Sequence, residues 1–291
     1  MEASVKGVSA VLNAPAPHMV GDGFRVHNFF PRGYKIKMNP FFMLDYNSKI
    51  KFSARNQPRG VGVHPHRGFE TVTIAYHGAV AHHDSAGNSG IIYPGDVQWM
   101  TAASGILHKE YHEEAFSKEG GDFQMVQLWI NLPAKDKMSR PKYQDLKNAD
   151  MAKYMLPAAE GTIEVIAGEY DGVKGSATTF SPLHLYNVKL KKNAKSSFAF
   201  PKSFNTGFLI IEGKIIVNGE VTAIADQFVH FANEGTEIII EALDNSVILI
   251  LSGAPIDEPI AQYGPFLMNT PEEIQQAISD YNQGKFGYLE E

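Results

Sequence analysis

The chain contains no cysteine, which excludes disulfides, thiolate metal ligands and a cysteine nucleophile in one stroke. Any metal must therefore sit on nitrogen and oxygen donors. There is no surplus of positive charge either: 26 Lys and Arg stand against 32 Asp and Glu, for a formal net charge of -6. Without a broad basic field to attract phosphate backbones, direct binding of nucleic acid is not expected. No apolar run approaches the roughly 18 residues that a membrane-spanning helix needs. The opening stretch MEASVKGVSAVLNAPAPH also lacks a basic segment followed by a long apolar core. The expectation is a cytoplasmic protein with no membrane partner.

Helix signals are scarce, and short β-type runs dominate instead: FETVTIAYHG, DFQMVQLWINL, GTIEVIAG, LYNVKL, TGFLIIEGKIIVNG, TEIIIEAL and SVILILSG. They are rich in Ile, Val and Phe and are bounded by Gly, Asn, Asp or Pro, the punctuation of an antiparallel sandwich or barrel. One clear helix is predicted near the C-terminus, with Thr270 as N-cap, Pro271 as first helical residue and Glu273 closing a capping box. It runs through EEIQQAISDYNQ to a stop near Gly284, and Ile274, Ala277, Ile278 and Tyr281 form its apolar stripe. A weaker helical candidate spans Lys142 to Lys153, where a linker is expected. At 291 residues the chain exceeds the usual size of one domain, and two are expected.

A weak internal repeat supports two copies of one unit. Thr71-Val-Thr-Ile-Ala-Tyr-His-Gly78 parallels Thr206-Gly-Phe-Leu-Ile-Ile-Glu-Gly213. Gly95-Asp96 then parallels Ala225-Asp226, and each aspartate is followed nine residues later by a glycine, Gly105 or Gly235.

The chemistry is concentrated in two short motifs, His64-Pro65-His66 and His108-Lys109-Glu110. Each sets two donors at i and i+2, and a strand turns alternate side chains to one face, so each pair can point into one cavity. Three imidazoles and a carboxylate make a typical ligand set for a mononuclear transition metal. With 11 His in the chain, one such pair means little; two such pairs carry the reading. Through the repeat, His64 and His66 fall on Ala199 and Pro201, and His108 and Glu110 on Ile238 and Ile240. None of these four binds a metal, so the first copy is expected to hold one and the second to have an apolar filling. Glu70, four residues past His66, is an alternative carboxylate. His112 reads as a cavity-rim histidine or, less simply, a proton shuttle. His77, His82 and His83 read as solvated or structural. Phe69, Trp99, Met100 and Phe123 are available to line an aromatic pocket, although core packing is the plainer expectation.

HxH, Glu70, the PGD at Pro94 to Asp96 and the GxxH at Gly105 to His108 together resemble the two motifs of the cupin superfamily. HPHRGFETVT, His82 to Asn88, GDVQWMTA, Leu132 to Met138, IAGEYDGVKG and the terminal YGPFLMNTPEEIQQAISDYNQGKFG more closely resemble the pirin family, over nearly the whole chain. The resemblance implies an all-β fold of two tandem cupin barrels with a short C-terminal helix. Residues 1-140 would be the metal-binding barrel, and 141-291 a metal-free barrel carrying the helix. It implies one divalent transition metal held by His64, His66, His108 and Glu110, with Fe(II) first and Mn, Ni, Cu or Zn as alternatives. The broader cupin pattern places its carboxylate ligand at Glu70, whereas the pirin pattern selects Glu110.

The activity implied is that of a quercetin 2,3-dioxygenase, in which O2 opens a flavonol with loss of carbon monoxide. Glu110 would serve as general base toward the flavonol hydroxyl. The competing expectation is a redox-sensing co-regulator that uses the same iron site without turnover and has a protein partner. A third is a metal-free bicupin that binds sugars or other small molecules.

Overall fold

The computed structural model describes residues 4–291. Among them antiparallel strands predominate, and there are two α-helices, Glu114–Glu119 and Pro271–Asn282. The strands form two units with the same plan, a seven-stranded and a four-stranded antiparallel sheet in each.

In the first unit, the N-terminal barrel, the large sheet runs in the order Lys142–Leu146, Val97–Thr101, Phe69–His77, Gly121–Asn131, Phe41–Phe52, Phe24–Phe30, His18–Val20. Its small sheet runs Gly60–His66, Ile106–His112, Val80–Asp84, Ser89–Ile92. In the second, the C-terminal barrel, the large sheet runs Val8–Asn13, Gln227–Phe231, Asn205–Glu212, Ser246–Gly253, Leu183–Leu190, Gly161–Ala167, Ala152–Met155. The small sheet is Lys195–Ala199, Glu237–Ala242, Lys214–Val217, Val221–Ile224.

The two units are not consecutive halves of the chain. The boundary near residue 149 lies close to the expected 140, but the ends are exchanged. The segment up to Pro15, with Ile36–Pro40, belongs to the C-terminal barrel, because Val8–Asn13 pairs with Gln227–Phe231. Ile256–Glu291, including the terminal helix, belongs to the N-terminal barrel. The division 1-140 and 141-291 is corrected accordingly. Edge pairing and helix docking are long-range choices that no local pattern announces.

Three further expectations change. The helix around Lys142 to Lys153 does not form. Lys142–Leu146 is a strand paired with Val97–Thr101, and Ala152–Met155 is another, paired with Gly161–Ala167. Polar edge strands of this kind lack the apolar alternation by which strands are recognised. The repeat register on the first motif strand is also off by one. Ala199 and Pro201 are exposed, whereas Phe198 and Phe200 are buried and face the interior with Ile238 and Ile240. A one-residue slip turns every side chain of a strand to the other face. The apolar filling of the C-terminal barrel stands, with Phe198 and Phe200 supplying it. Finally, Tyr281 is exposed instead of completing the helix stripe; the buried contacts come from Ile274, Ala277 and, beyond the helix, Phe286.

Candidate metal centre

The small sheet of the N-terminal barrel positions the motif residues. Gly60–His66 pairs with Ile106–His112 so that His64 lies opposite His108 and His66 opposite Ile106. Partners directly across an antiparallel pair point to the same face, and the three imidazoles meet there. Their ring centroids are 4.9 Å (His64 to His66), 4.2 Å (His64 to His108) and 4.6 Å (His66 to His108) apart. One nitrogen of each ring lies within 4.8 Å of the others, so the group can hold a metal ion.

The donor chemistry fits such an ion. His66 and His108 are buried, and neither His108 ring nitrogen nor His66 Nδ1 has a hydrogen-bond partner. Buried polar atoms are rarely left unpaired. Burial, reinforced by the neighbouring His64, holds both His66 and His108 well below the ordinary histidine range, so both are neutral near pH 7, the form that ligates. His64 Nδ1 lies 2.8 Å from the Gly62 carbonyl. A carbonyl only accepts, so Nδ1 carries the proton and Nε2 keeps its lone pair for a ligand.

Glu110 shares this strand face but is not in the three-histidine group. Past a register shift between His108 and Glu110, its carboxylate accepts from Gln127 Nε2 at 2.8 and 3.1 Å and from Thr73 Oγ1 at 3.2 Å. Burial raises its pKa, against the opposing pull of Gln127, His64 and Thr73.

Glu70 is placed elsewhere. The strand breaks after His66 at Gly68, whose φ of +90° suits glycine. Phe69–His77 then runs in the other sheet, where Thr71 and Thr73 alternate with Glu70. Period two therefore turns Glu70 away from the face that Thr73 shares with Glu110. Its Oε1 accepts from Trp99 Nε1 at 2.9 Å and Thr101 Oγ1 at 2.7 Å, and burial pushes its pKa up to about 7.

The other histidines divide cleanly. His112 is no rim residue: it is fully buried among Phe24, Phe52, Phe116 and Phe123, and its Nε2 donates to Gly23 O at 2.8 Å. His82 is buried opposite Glu110 and bonds the Tyr143 hydroxyl at 2.7 Å, and burial lowers its pKa to about 4. His83 stacks on Tyr111. Of the proposed pocket aromatics, Trp99 serves Glu70, Phe123 packs in the apolar cluster around His112, and Met100 packs with Ala102 and Ile106. Phe69 alone borders the histidines, 5.0 Å from His66.

Sequence reasoning missed the large sheet's contribution. Trp129 stacks on Phe69 at 4.1 Å and meets His66 edge-on at 5.3 Å, and its Nε1 is unpartnered. Gln98, Thr73, Gln127, Asp45 and Asn28 are successive cross-strand neighbours, forming a polar row on the face that carries the Glu110 bonds. The signal was the period-two spacing of Gln127, Trp129 and Asn131 in the second half of the strand Gly121–Asn131, between the apolar Val126, Leu128 and Ile130.

A β-barrel pair with a three-histidine cluster in one barrel and an apolar filling in the other defines a bicupin of asymmetric type. The pirin family model matches residues 23–130, and the model of the pirin C-terminal cupin domain matches 185–287. The chain therefore belongs to the pirin family. It is 46% identical over 283 residues to a Pseudomonas aeruginosa protein named "Putative quercetin 2,3-dioxygenase", covering 97% of this chain and 99% of that one. Human pirin is 36% identical over 274 residues, covering 92% of this chain and 90% of that protein. The crystal structure of a quercetin 2,3-dioxygenase from Acinetobacter baumannii superposes with a TM-score of 0.93 at 44% identity, covering 99% of this chain and all of that one.

Proposed function

We propose that the protein is a metal-dependent dioxygenase that opens a flavonol such as quercetin with O2, with Fe(II) held by His64, His66 and His108 and with Glu110 as the fourth donor. The observation that carries the reading is the trio of facing imidazoles in which His66 Nδ1 and both ring nitrogens of His108 are buried without a protein partner. The names of the Pseudomonas and Acinetobacter relatives support the substrate class. When bound, a redox-active ion on an all-nitrogen-and-oxygen set supplies open positions for O2 and a chelating hydroxy-ketone.

The chain's own groups do the rest. Glu110 takes the flavonol hydroxyl proton as general base, and the burial that raises its pKa strengthens it for that task. Gln127 and Thr73 hold the carboxylate in place. Trp129, backed by Phe69, offers a flat apolar wall beside His66 for the aromatic substrate.

The test is an oxygen electrode with simultaneous absorbance on protein reconstituted anaerobically with Fe(II). Each flavonol bleached is expected to consume one O2 and release one carbon monoxide. Metal-replete protein that leaves flavonols intact in air with Fe, Mn, Ni and Cu alike overturns the enzymatic reading. Tight metal binding and reversible redox change without turnover would then favour the sensor.

A further inference from the structure

The strands that carry the three histidines have a second face. His64, His66 and His108 turn inward, so the residues beside them turn outward, as the period of a strand requires. That outer face is covered by the C-terminal arm of the same unit, Ile256–Glu291. Leu107, beside His108, packs with Phe266, Met268 and Phe286, and Val63, beside His64, packs against the same cluster. Lys109 Nζ, on the far side of His108, donates to Glu290 O at 2.8 Å.

The polar ties of the arm concentrate on the two turns from which the ligands project. After His66, Arg67 N donates to Pro265 O at 3.4 Å and Arg67 O accepts from Leu267 N at 3.0 Å. The Arg67 guanidinium is buried; it donates to Ser104 O at 2.8 Å and to Asp280 Oδ2 of the terminal helix at 2.9 Å, and it lies 4.7 Å from the centre of the Phe286 ring. One residue on, Gly68 O accepts from Lys137 Nζ at 2.7 Å, and the same ammonium donates to Leu267 O at 2.9 Å. Before His108, the Phe286 ring occupies the space beside Gly105 that a Cβ would need. Ser85 Oγ then links Phe286 O, at 2.6 Å, to Leu107 N, at 3.0 Å.

An arm that only covered apolar surface would need Leu107 and Val63 and nothing more. Here a buried ion pair, a buried ammonium and backbone bonds fix the chain on either side of the ligands, so a displaced arm frees both turns at once. Groups that hold metal ligands from behind typically contribute 10- to 100-fold to metal affinity.

We infer that the C-terminal arm is a positioning element of the metal centre, with Arg67 and Phe286 as its positioning residues, and that docking of the terminal helix and occupation of the three histidines are thermodynamically coupled. The inference rests on the reading of the histidines as a metal site and is independent of flavonol turnover. Coupling of this kind is reciprocal: if docking tightens the metal about tenfold, the metal tightens docking by the same factor.

The experiment titrates full-length apoprotein with Zn(II) against a chromophoric chelator and follows amide hydrogen exchange of the helix Pro271–Asn282 with and without saturating Zn(II). The wild type is expected to bind one ion per chain. Its terminal-helix amides are expected to exchange about tenfold more slowly when loaded, while those of the helix Glu114–Glu119 keep their rate. Asp280→Asn, which removes the helix's charge on Arg67, is expected to weaken Zn(II) about tenfold and to leave exchange of the terminal helix independent of the metal. Leu190→Ala, a cavity in the core of the other barrel, destabilises the protein without touching the arm and is expected to leave the affinity within about twofold. If Asp280→Asn fails to fold, Phe286→Leu, which takes the ring from Arg67 and Gly105, carries the same expectation. Equal Zn(II) affinity in the wild type and the arm variant, metal-independent exchange of the terminal helix in the wild type, or an equal loss of affinity in Leu190→Ala overturns the inference. A wild type that takes up no Zn(II) overturns the metal reading and this inference with it.

Discussion

His108 is buried with both ring nitrogens unpartnered, and Glu110, two residues on, is held by Gln127 and Thr73. In the proposed reaction the imidazoles carry the ion, and Glu110, besides serving as fourth donor, is the base that Gln127 and Thr73 hold in place. Glu110→Gln keeps the side chain's size and removes its basicity. Turnover of flavonol is expected to fall about 100-fold with the metal retained, as read by rate and metal content in the same sample. A second prediction concerns Glu70. Burial raises its pKa from 4.5 to about 7, so the folded protein keeps that proton between these values while the unfolded chain releases it. Raising the pH through that window therefore favours the unfolded state, and this contribution to instability is absent below about 4.5. In urea melts at pH 5 and pH 7, Glu70→Gln is expected to lose less stability over the interval than the wild type. Equal losses would contradict the assignment.

The histidines were legible because the HxH and HxE spacings obey the strand period, and that period holds in the folded chain. Glu70 was ambiguous for the same reason. A strict alternation from His66 would have placed it on the same face, but the break at Gly68 moves it into a different sheet. Trp129 and Gln127 escaped notice because their proximity to the histidines depends on two sheets facing each other, which no local pattern encodes.

Among elements, the terminal helix was the easiest to read. Thr270 caps Glu273 N at 3.2 Å, and Glu273 returns a bond to Thr270 N at 3.0 Å, as the capping-box pattern requires. Its docking site was not legible. The helix packs through Ile274 and Ala277 onto a cluster with Leu107, Phe266 and Met268. It is pinned by a buried ion pair, Arg67 to Asp280, at 2.9 Å. Arg67 follows His66 directly, lies over the Phe286 ring and donates to Ser104 O. Lys285 and then Arg67 hold the Asp280 carboxyl well below the usual carboxylate range. Removing one partner of such a pair leaves a buried charge uncompensated, at about 3 to 5 kcal/mol. Asp280→Ala is expected to destabilise the protein by about 3 kcal/mol, the lower end because Arg67 keeps its bond to Ser104. An unchanged denaturation midpoint would show that the helix is not anchored there.

For the whole molecule, the two barrels share sheet sizes and strand pairing yet carry opposite contents. Where one strand pair bears His64 and His108, the matching pair of the other bears Phe198 and Ile238, directly opposite each other and fully buried. The repeat made this division legible before the fold was known, and its register erred only where the intervening loops differ in length. The exchange of chain ends between the units was not legible, since it depends on which edge strand each terminus meets. The central claim is that one barrel alone is built to hold a metal. Elemental analysis of anaerobically purified protein tests it most directly, comparing the wild type with the double variant His64→Ala/His66→Ala. The account predicts one transition-metal ion per chain in the wild type and none in the variant. One ion per chain in the folded variant would contradict it.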